Sequence, residues 1–392
     1  MLIENVRVWD GANASVREKY SVEISETRIH WLGPASEWRG NRKRTEIFDG
    51  SARTLIPGLM DCHVHYSSPG GPEWIARFTD PIGEISARYI ELAGASVRSG
   101  VTTARDVGAP DDLNVALARR ARVMGFLAPH LHAAGTWIAH RGTYVPFARQ
   151  FASADELRNA IRAEIDAGVD LIKVALAPWN ANQKPDDAPE IPFDEKYLAI
   201  AVEEARAAKM KIACHASDAA SCKIAARAGV DSIEHGFNLD ADDLAQMKTR
   251  GTFFVPTMSA WDAMLFFARE MDWASERVKR IENYREGSRA AVTNAIKMGI
   301  NIALGTDAGG GAARHGRIAR EIELMIECGM APVEALIAGT ARAAQLIGEE
   351  EARGVIAPGK IADLILLDGN PLDDPGALRL IAAVFQNGKR VT

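Results

Sequence analysis

The middle of this chain repeats one unit eight times: a short apolar run followed by a stretch with helical spacing. The runs lie at 59–65, 101–107, 130–135, 170–175, 211–216, 232–236, 252–257 and 301–307. They are short enough for strands, whereas 154–167, 195–208, 219–228, 288–298 and 332–347 carry apolar residues at three- and four-residue intervals, as helices do. A glycine stands where a helix must end before the next strand, at Gly100, Gly168, Gly229 and Gly299. Eight such units in about 250 residues match an α/β fold of the (β/α)8, or TIM, barrel type. A doubly wound open sheet has the same local pattern. It would not gather the ends of the first, fourth, fifth, sixth and eighth strands around one point.

Both ends of the chain read differently. Residues 2–8, 20–24, 29–32 and 44–49 look like strands punctuated by Gly11, Gly33 and Gly50. Residues 362–368 and 381–385, followed by Asn387-Gly388, repeat the pattern at the other end. The expected organisation is a small β-sandwich built from 1–54 and 353–392, with the barrel inserted as 55–352.

Polar residues occupy the ends of the barrel strands. His63 and His65 form an H-V-H pair, and side chains at i and i+2 of a strand share a face. Lys173, His215, His235 and Asp307 each sit near the end of a different apolar run. Imidazole and carboxylate suit zinc and similar divalent ions. His63, His65 and Asp307 can hold one ion, because the eighth strand of a closed barrel lies beside the first. His215 and His235, on neighbouring strands, can hold another. Lys173 lies among apolar neighbours, where an ammonium is costly without a partner such as Asp106 or Glu234. Isolated histidines such as His30 and His132 carry no comparable pattern.

The net charge of -6 argues against nucleic acid or an anionic membrane as a partner, since both attract basic surfaces. Cys62, Cys214, Cys222 and Cys328 have no C-x-x-C spacing, which points to reduced thiols. The opening MLIENVRVWDG alternates like a strand and has no signal-peptide layout, so a cytoplasmic protein is expected. A homo-oligomer is the expected assembly.

The motifs LIPGLMDCHVH (55–65), GVTTARDV (100–107), AGVDSIEHG (228–236), LGTDAG (304–309) and GVIAPGKIADL (354–364) together resemble the amidohydrolase superfamily. The likeness is greatest to the branch containing imidazolonepropionase-like enzymes and Xaa-Pro or Xaa-Arg dipeptidases. The resemblance implies a binuclear zinc centre, with Lys173 carboxylated on its amine and bridging the two ions. It implies a hydroxide between the ions that attacks an amide-type C–N bond. Asp307 would orient the hydroxide and pass its proton to the leaving amine. His140, in WIAHRGT (137–143), would hydrogen-bond the developing oxyanion as a histidine does at that place in the related dipeptidases.

Specificity in a barrel is set by the loops that follow the strands. Trp137, Trp179 and Trp261 stand in those loops, as do Phe266 and Phe267. Arg141 and the Arg314-His315 pair can meet a substrate carboxylate. Where the related dipeptidases place a carboxylate-binding tyrosine, VPTMSAW (255–261) ends in Trp261. That departure favours a bulkier small molecule: an N-acyl amino acid, aryl amide or carbamate rather than a simple dipeptide. Two other readings compete. A one-metal deaminase or cyclic amidase of the same superfamily is one, although the deaminases' His-x-x-Glu is replaced here by His215-Ala-Ser-Asp218. A non-catalytic binding or scaffold protein is the other, although such relatives have lost ligands.

Overall fold

The structure is a computed structural model that describes residues 1–177 and 191–392. The chain begins with strands β1 (Leu2–Val8), β2 (Arg17–Ser25), β3 (Arg28–Pro34), β4 (Ile47–Asp49) and β5 (Thr54–Pro57). The barrel strands follow as β6 (Leu59–Val64), β7 (Val101–Asp106) and β8 (His130–Ala133). Two short strands, β9 (Ile138–His140) and β10 (Arg149–Phe151), precede β11 (Leu171–Ala175), β12 (Lys211–Ala216), β13 (Ser232–His235) and β14 (Phe253–Val255). The chain closes with β15 (Leu364–Leu367), β16 (Ile381–Gln386) and β17 (Lys389–Arg390).

Strands from both chain ends form one eight-stranded sheet in the order β17-β16-β15-β5-β1-β2-β3, with β4 paired to β1. The junction is the antiparallel pairing of β15 with β5, in which Ile365 faces Ile56. Ile3, Val22, Leu55, Leu364 and Phe385 give this sheet its own apolar core.

The fold of the middle is the (β/α)8 barrel. Strands β6, β7 and β8 run parallel, as do β11 to β14. Asp170 N–H donates to Ala133 O at 2.8 Å and links β8 to the next barrel strand. The eighth segment, expected as a strand over 301–307, forms only isolated bridges at Ile302 and Ala308. It still closes the ring: Ala303 N–H donates to Phe254 O, Cys62 N–H to Leu304 O and Asp307 N–H to His63 O, at 2.8–2.9 Å. A left-handed backbone at Asp307 (φ 54°) breaks its pleat.

Two further differences from the sequence reading have clear causes. The helix expected over 332–347 is two, Pro332–Ala338 and Ala341–Ile347. At the break, Ala338 O and Gly339 O accept from Leu304 N and Met60 N, so barrel strands take carbonyls that a continuous helix would use. The helix expected over 288–298 extends to Ser275–Met298; its largely polar first half packs through Val278 and Ile281 against Leu265 and Ala268. Among the described residues, no helix is long and apolar enough to cross a membrane.

Candidate metal centre

His63, His65 and Asp307 come together at one end of the barrel, with ligand atoms within 4.8 Å of one another. Asp307 Oδ1 lies 3.4 Å from His63 Nε2 and 3.5 Å from His65 Nε2. The histidines continue as a chain of rings: His63 to His235 at 4.9 Å between centroids, and His235 to His215 at 4.4 Å. Lys173 is on β11, which pairs with the His215 strand so that Ala175 faces His215.

Each imidazole is oriented by what its other nitrogen touches. His63 Nδ1 donates to Glu234 Oε2 at 2.6 Å, and His65 Nδ1 donates to Gly108 O at 2.9 Å. Both acceptors demand an N–H at Nδ1, which leaves a lone pair on Nε2 for a metal. His235 Nδ1 lies 2.8 Å from Thr257 Oγ1. Glu234 is fully buried and also accepts from Arg105 Nη2 at 2.7 Å. Burial would raise its carboxyl pKa, but Arg105 and His63 hold it well below the usual carboxylate range.

Backbone strain gathers here. His235, Thr257 and Asp307 have φ of 72°, 50° and 54°, the left-handed region that non-glycine residues seldom occupy. Neighbours on a strand normally point to opposite faces. The turn at His235 breaks that alternation, so Glu234 and His235 both reach His63. After Asp307 the backbone passes so close that a Cβ on Gly310 would lie 2.1 Å from His65 Cδ2 and 2.3 Å from Asp307 Oδ1. Only glycine fits at that position.

The donor set fits a metal centre. Burial, then Lys173, pushes the His215 imidazole pKa down to about 3, and burial with His215 and His63 pushes His235 down as well. Both rings are therefore neutral, as ligands must be. Asp307 is held ionised, against its burial, by His63 and His65. Lys173 Nζ and His215 Nδ1 are buried polar atoms with no hydrogen-bond partner among the described residues. Burial pushes the Lys173 ammonium pKa down to about 8.

The remaining expected residues fall into three groups. Trp137 is 3% exposed and packs on His65 at 5.3 Å, so it backs the centre rather than lining an open pocket. Trp261 reaches the centre indirectly, through Phe237, which lies 4.9 Å from it and 5.8 Å from His235. His140 and Arg141 make their contacts away from the ligands, whereas His315 lies against the backbone of His65. The His140 ring packs on Phe151 and Tyr197, exposed Arg141 pairs with Glu156 at 3.2 Å, and His315 stacks on Tyr66 while donating to Ser68 O. Trp179 lies outside the described residues.

Tyr144, four residues after His140, packs on His215 at 5.1 Å and was not singled out from sequence, because nothing in its spacing marks it. A cavity of about 500 Å³ opens beside Thr306, the residue before Asp307, and is lined by Phe266, Phe267, Arg314 and Arg317 among others. Asp218, the near match to a deaminase glutamate, caps the helix Ala219–Ala228 by accepting from Ala220 N and Ser221 N.

The sequence profile of the amidohydrolase family matches residues 54–391. The chain belongs to that family. This amidohydrolase is 26% identical to ochratoxinase of Aspergillus niger, over 94% of this chain and 80% of that protein. It is 27% identical to imidazolonepropionase of Rhizorhabdus wittichii, over 91% and 90% of the two chains. Its fold superposes on a Xaa-Pro dipeptidase solved with methionine in its active site, with a TM-score of 0.89 and 26% identity, covering 99% and 98% of the chains. The protein is thus a hydrolase acting on carbon–nitrogen bonds.

Proposed function

We propose that this amidohydrolase cleaves the amide-type C–N bond of an N-acyl amino acid, aryl amide, carbamate or dipeptide at a centre for two divalent ions, with zinc the best match to the donors. His63, His65 and Asp307 would hold one ion, His215 and His235 the other, and Lys173 as its carbamate would bridge them. Two ions bound there supply a hydroxide near neutral pH and polarise the substrate carbonyl. The observation that carries this reading is the Lys173 amine, buried beside the histidines without a hydrogen-bond partner among the described residues. With a pKa of about 8, roughly a tenth of it is neutral at pH 7. The neutral amine can add carbon dioxide and lose a proton, which converts an awkward cation into an anionic oxygen ligand.

Asp307 takes the proton from the attacking water and delivers it to the leaving nitrogen. A C–O bond forms, the C–N bond breaks, and a carboxylic acid and an amine are released; from a carbamate the acid half is an alkyl hydrogen carbonate, which breaks down to carbon dioxide and the alcohol. We assign the hydroxyl donor to the carbonyl oxygen to Tyr144, whose ring packs on His215, in place of His140, whose ring packs on Phe151. The cavity with Phe266, Phe267, Arg314 and Arg317 suits a substrate that joins an aromatic group to a carboxylate. The capping bonds of Asp218 leave the one-metal deaminase without its proton carrier. We place the enzyme in the cytoplasm as a homo-oligomer, which light scattering of the purified protein tests.

The test is a hydrolysis screen of zinc-loaded protein against dipeptides, N-acyl amino acids, aryl amides, carbamates and lactams, with Lys173→Ala run in parallel. Turnover of an acyclic amide that disappears with Lys173 supports the proposal. Full activity and full metal content in Lys173→Ala would overturn the bridging role.

A further inference from the structure

A second cluster of metal-type donors lies away from the catalytic centre. His130 and His132 stand at i and i+2 on β8. Their Nε2 atoms lie 3.2 and 3.3 Å from the same oxygen, Glu349 Oε1, and the three ligand atoms fall within 4.8 Å of one another. We propose that His130, His132 and Glu349 form a separate zinc-type metal site that ties the barrel to the segment returning to the terminal sheet.

The spacing supports this. Donors at about 2.1 Å from a tetrahedral zinc stand about 3.4 Å apart. The two histidine-to-carboxylate distances already match that figure. The carboxylate is also oriented from behind: Arg353 Nη1 holds Glu349 Oε2 at 2.6 Å, and Arg353 Nε is held by Asp363 Oδ2 at 2.9 Å. Oε1 is thus left facing the histidines, the outer support that metal ligands usually have. Asp363 Oδ1 accepts from Asn387 N in the C-terminal hairpin, so the network reaches the terminal sheet.

Charge favours a cation. Glu349, Arg353 and Asp363 sum to one negative charge. His132 Nε2 is buried and, beyond its 3.3 Å approach to Glu349 Oε1, has no partner among the described residues. The side chains keep 29%, 15% and 18% exposure, enough for an ion and a fourth, water ligand to enter from solvent. The site is independent of the catalytic reading, because none of its residues belongs to the hydrolytic centre.

The test is equilibrium dialysis of metal-stripped wild type, His132→Ala, His130→Gln and Glu349→Gln against Zn2+, with circular dichroism confirming the fold. The expected result is one fewer zinc ion per chain in each folded variant than in wild type, with hydrolysis of the best substrate retained. His130→Gln, at the most exposed position, serves if His132→Ala does not fold. Equal zinc stoichiometry in wild type and folded variants, or a difference seen only above millimolar zinc, would overturn the site. Loss of hydrolysis with unchanged stoichiometry would do the same.

Discussion

Replacing Glu234 with glutamine removes one negative charge and almost no volume. In the native protein its carboxylate accepts from both His63 and Arg105, and the Glu234 and Arg105 side chains are 0% and 3% exposed. Breaking a buried ion pair by neutralising one partner costs about 3–5 kcal/mol. Arg105 keeps Cys62 O at 2.6 Å and Ser232 Oγ at 3.0 Å, so the lower end, about 3 kcal/mol, is expected for the metal-free protein. The effect on metal is separate. If the glutamine oxygen stays with Arg105, its NH2 faces His63 Nδ1. That drives the imidazole proton to Nε2, the nitrogen that would bind metal. If the amide turns the other way, NH2 faces the Arg105 guanidinium. Losing such an outer partner weakens metal binding by about 10–100-fold. Urea denaturation of metal-free wild type and Glu234→Gln measures the first effect, and competition with a chromogenic chelator measures the second. A stability loss below about 1 kcal/mol together with metal affinity within about threefold of wild type would refute the assignment of Glu234 as the group that orients His63.

Other perturbations separate the roles of neighbouring residues. His140→Ala should change kcat by less than about threefold, whereas Tyr144→Phe should lower kcat about tenfold or more with little change in KM; steady-state kinetics on one good amide substrate would reverse this assignment if His140→Ala proved the more damaging. Arg314→Ala should raise KM for an N-acyl amino acid and leave it unchanged for the corresponding neutral amide, and equal effects on both would remove Arg314 from carboxylate binding. Burial pushes the His315 imidazole pKa down to about 4, so between that value and the ordinary 6.5 the unfolded chain binds more protons than the folded one. Stability should therefore fall as pH drops through this window, by at most about 3 kcal/mol from this group. His315→Gln, which can still donate to Ser68 O, should flatten that part of the pH–stability curve measured by urea titration; an unchanged slope would contradict it.

The barrel was legible because each strand is a separate apolar run and several of the preceding helices end on a glycine, a signal that needs only local periodicity. The eighth segment was legible as apolar but not as irregular, since the left-handed backbone at Asp307 belongs to its contact with His63 and has no marker in the residue types. The candidate histidines and Asp307 could be read from strand-end position, whereas Lys173 stands at the middle of β11. The supports of these ligands could not be read in this way: Glu234 precedes His235, and a strand that alternated regularly would have sent it to the opposite face. Arg105 joins Glu234 across 129 residues. The loop residues were the least legible, because a loop's side chains are placed by long-range packing. The same chemistry that suggested pocket roles for Arg141 and His315 is spent on Glu156 and Ser68 O. His132, unremarkable by itself, acquires meaning only when Glu349 arrives from the far end of the barrel.

The most direct test of the two-metal account is a zinc titration of metal-free His132→Ala protein while following hydrolysis of the best substrate from the screen. Removing His132 keeps the proposed second cluster from taking up metal. The account expects turnover to rise until two equivalents per chain are bound and then to level off. Full turnover at one equivalent would contradict it.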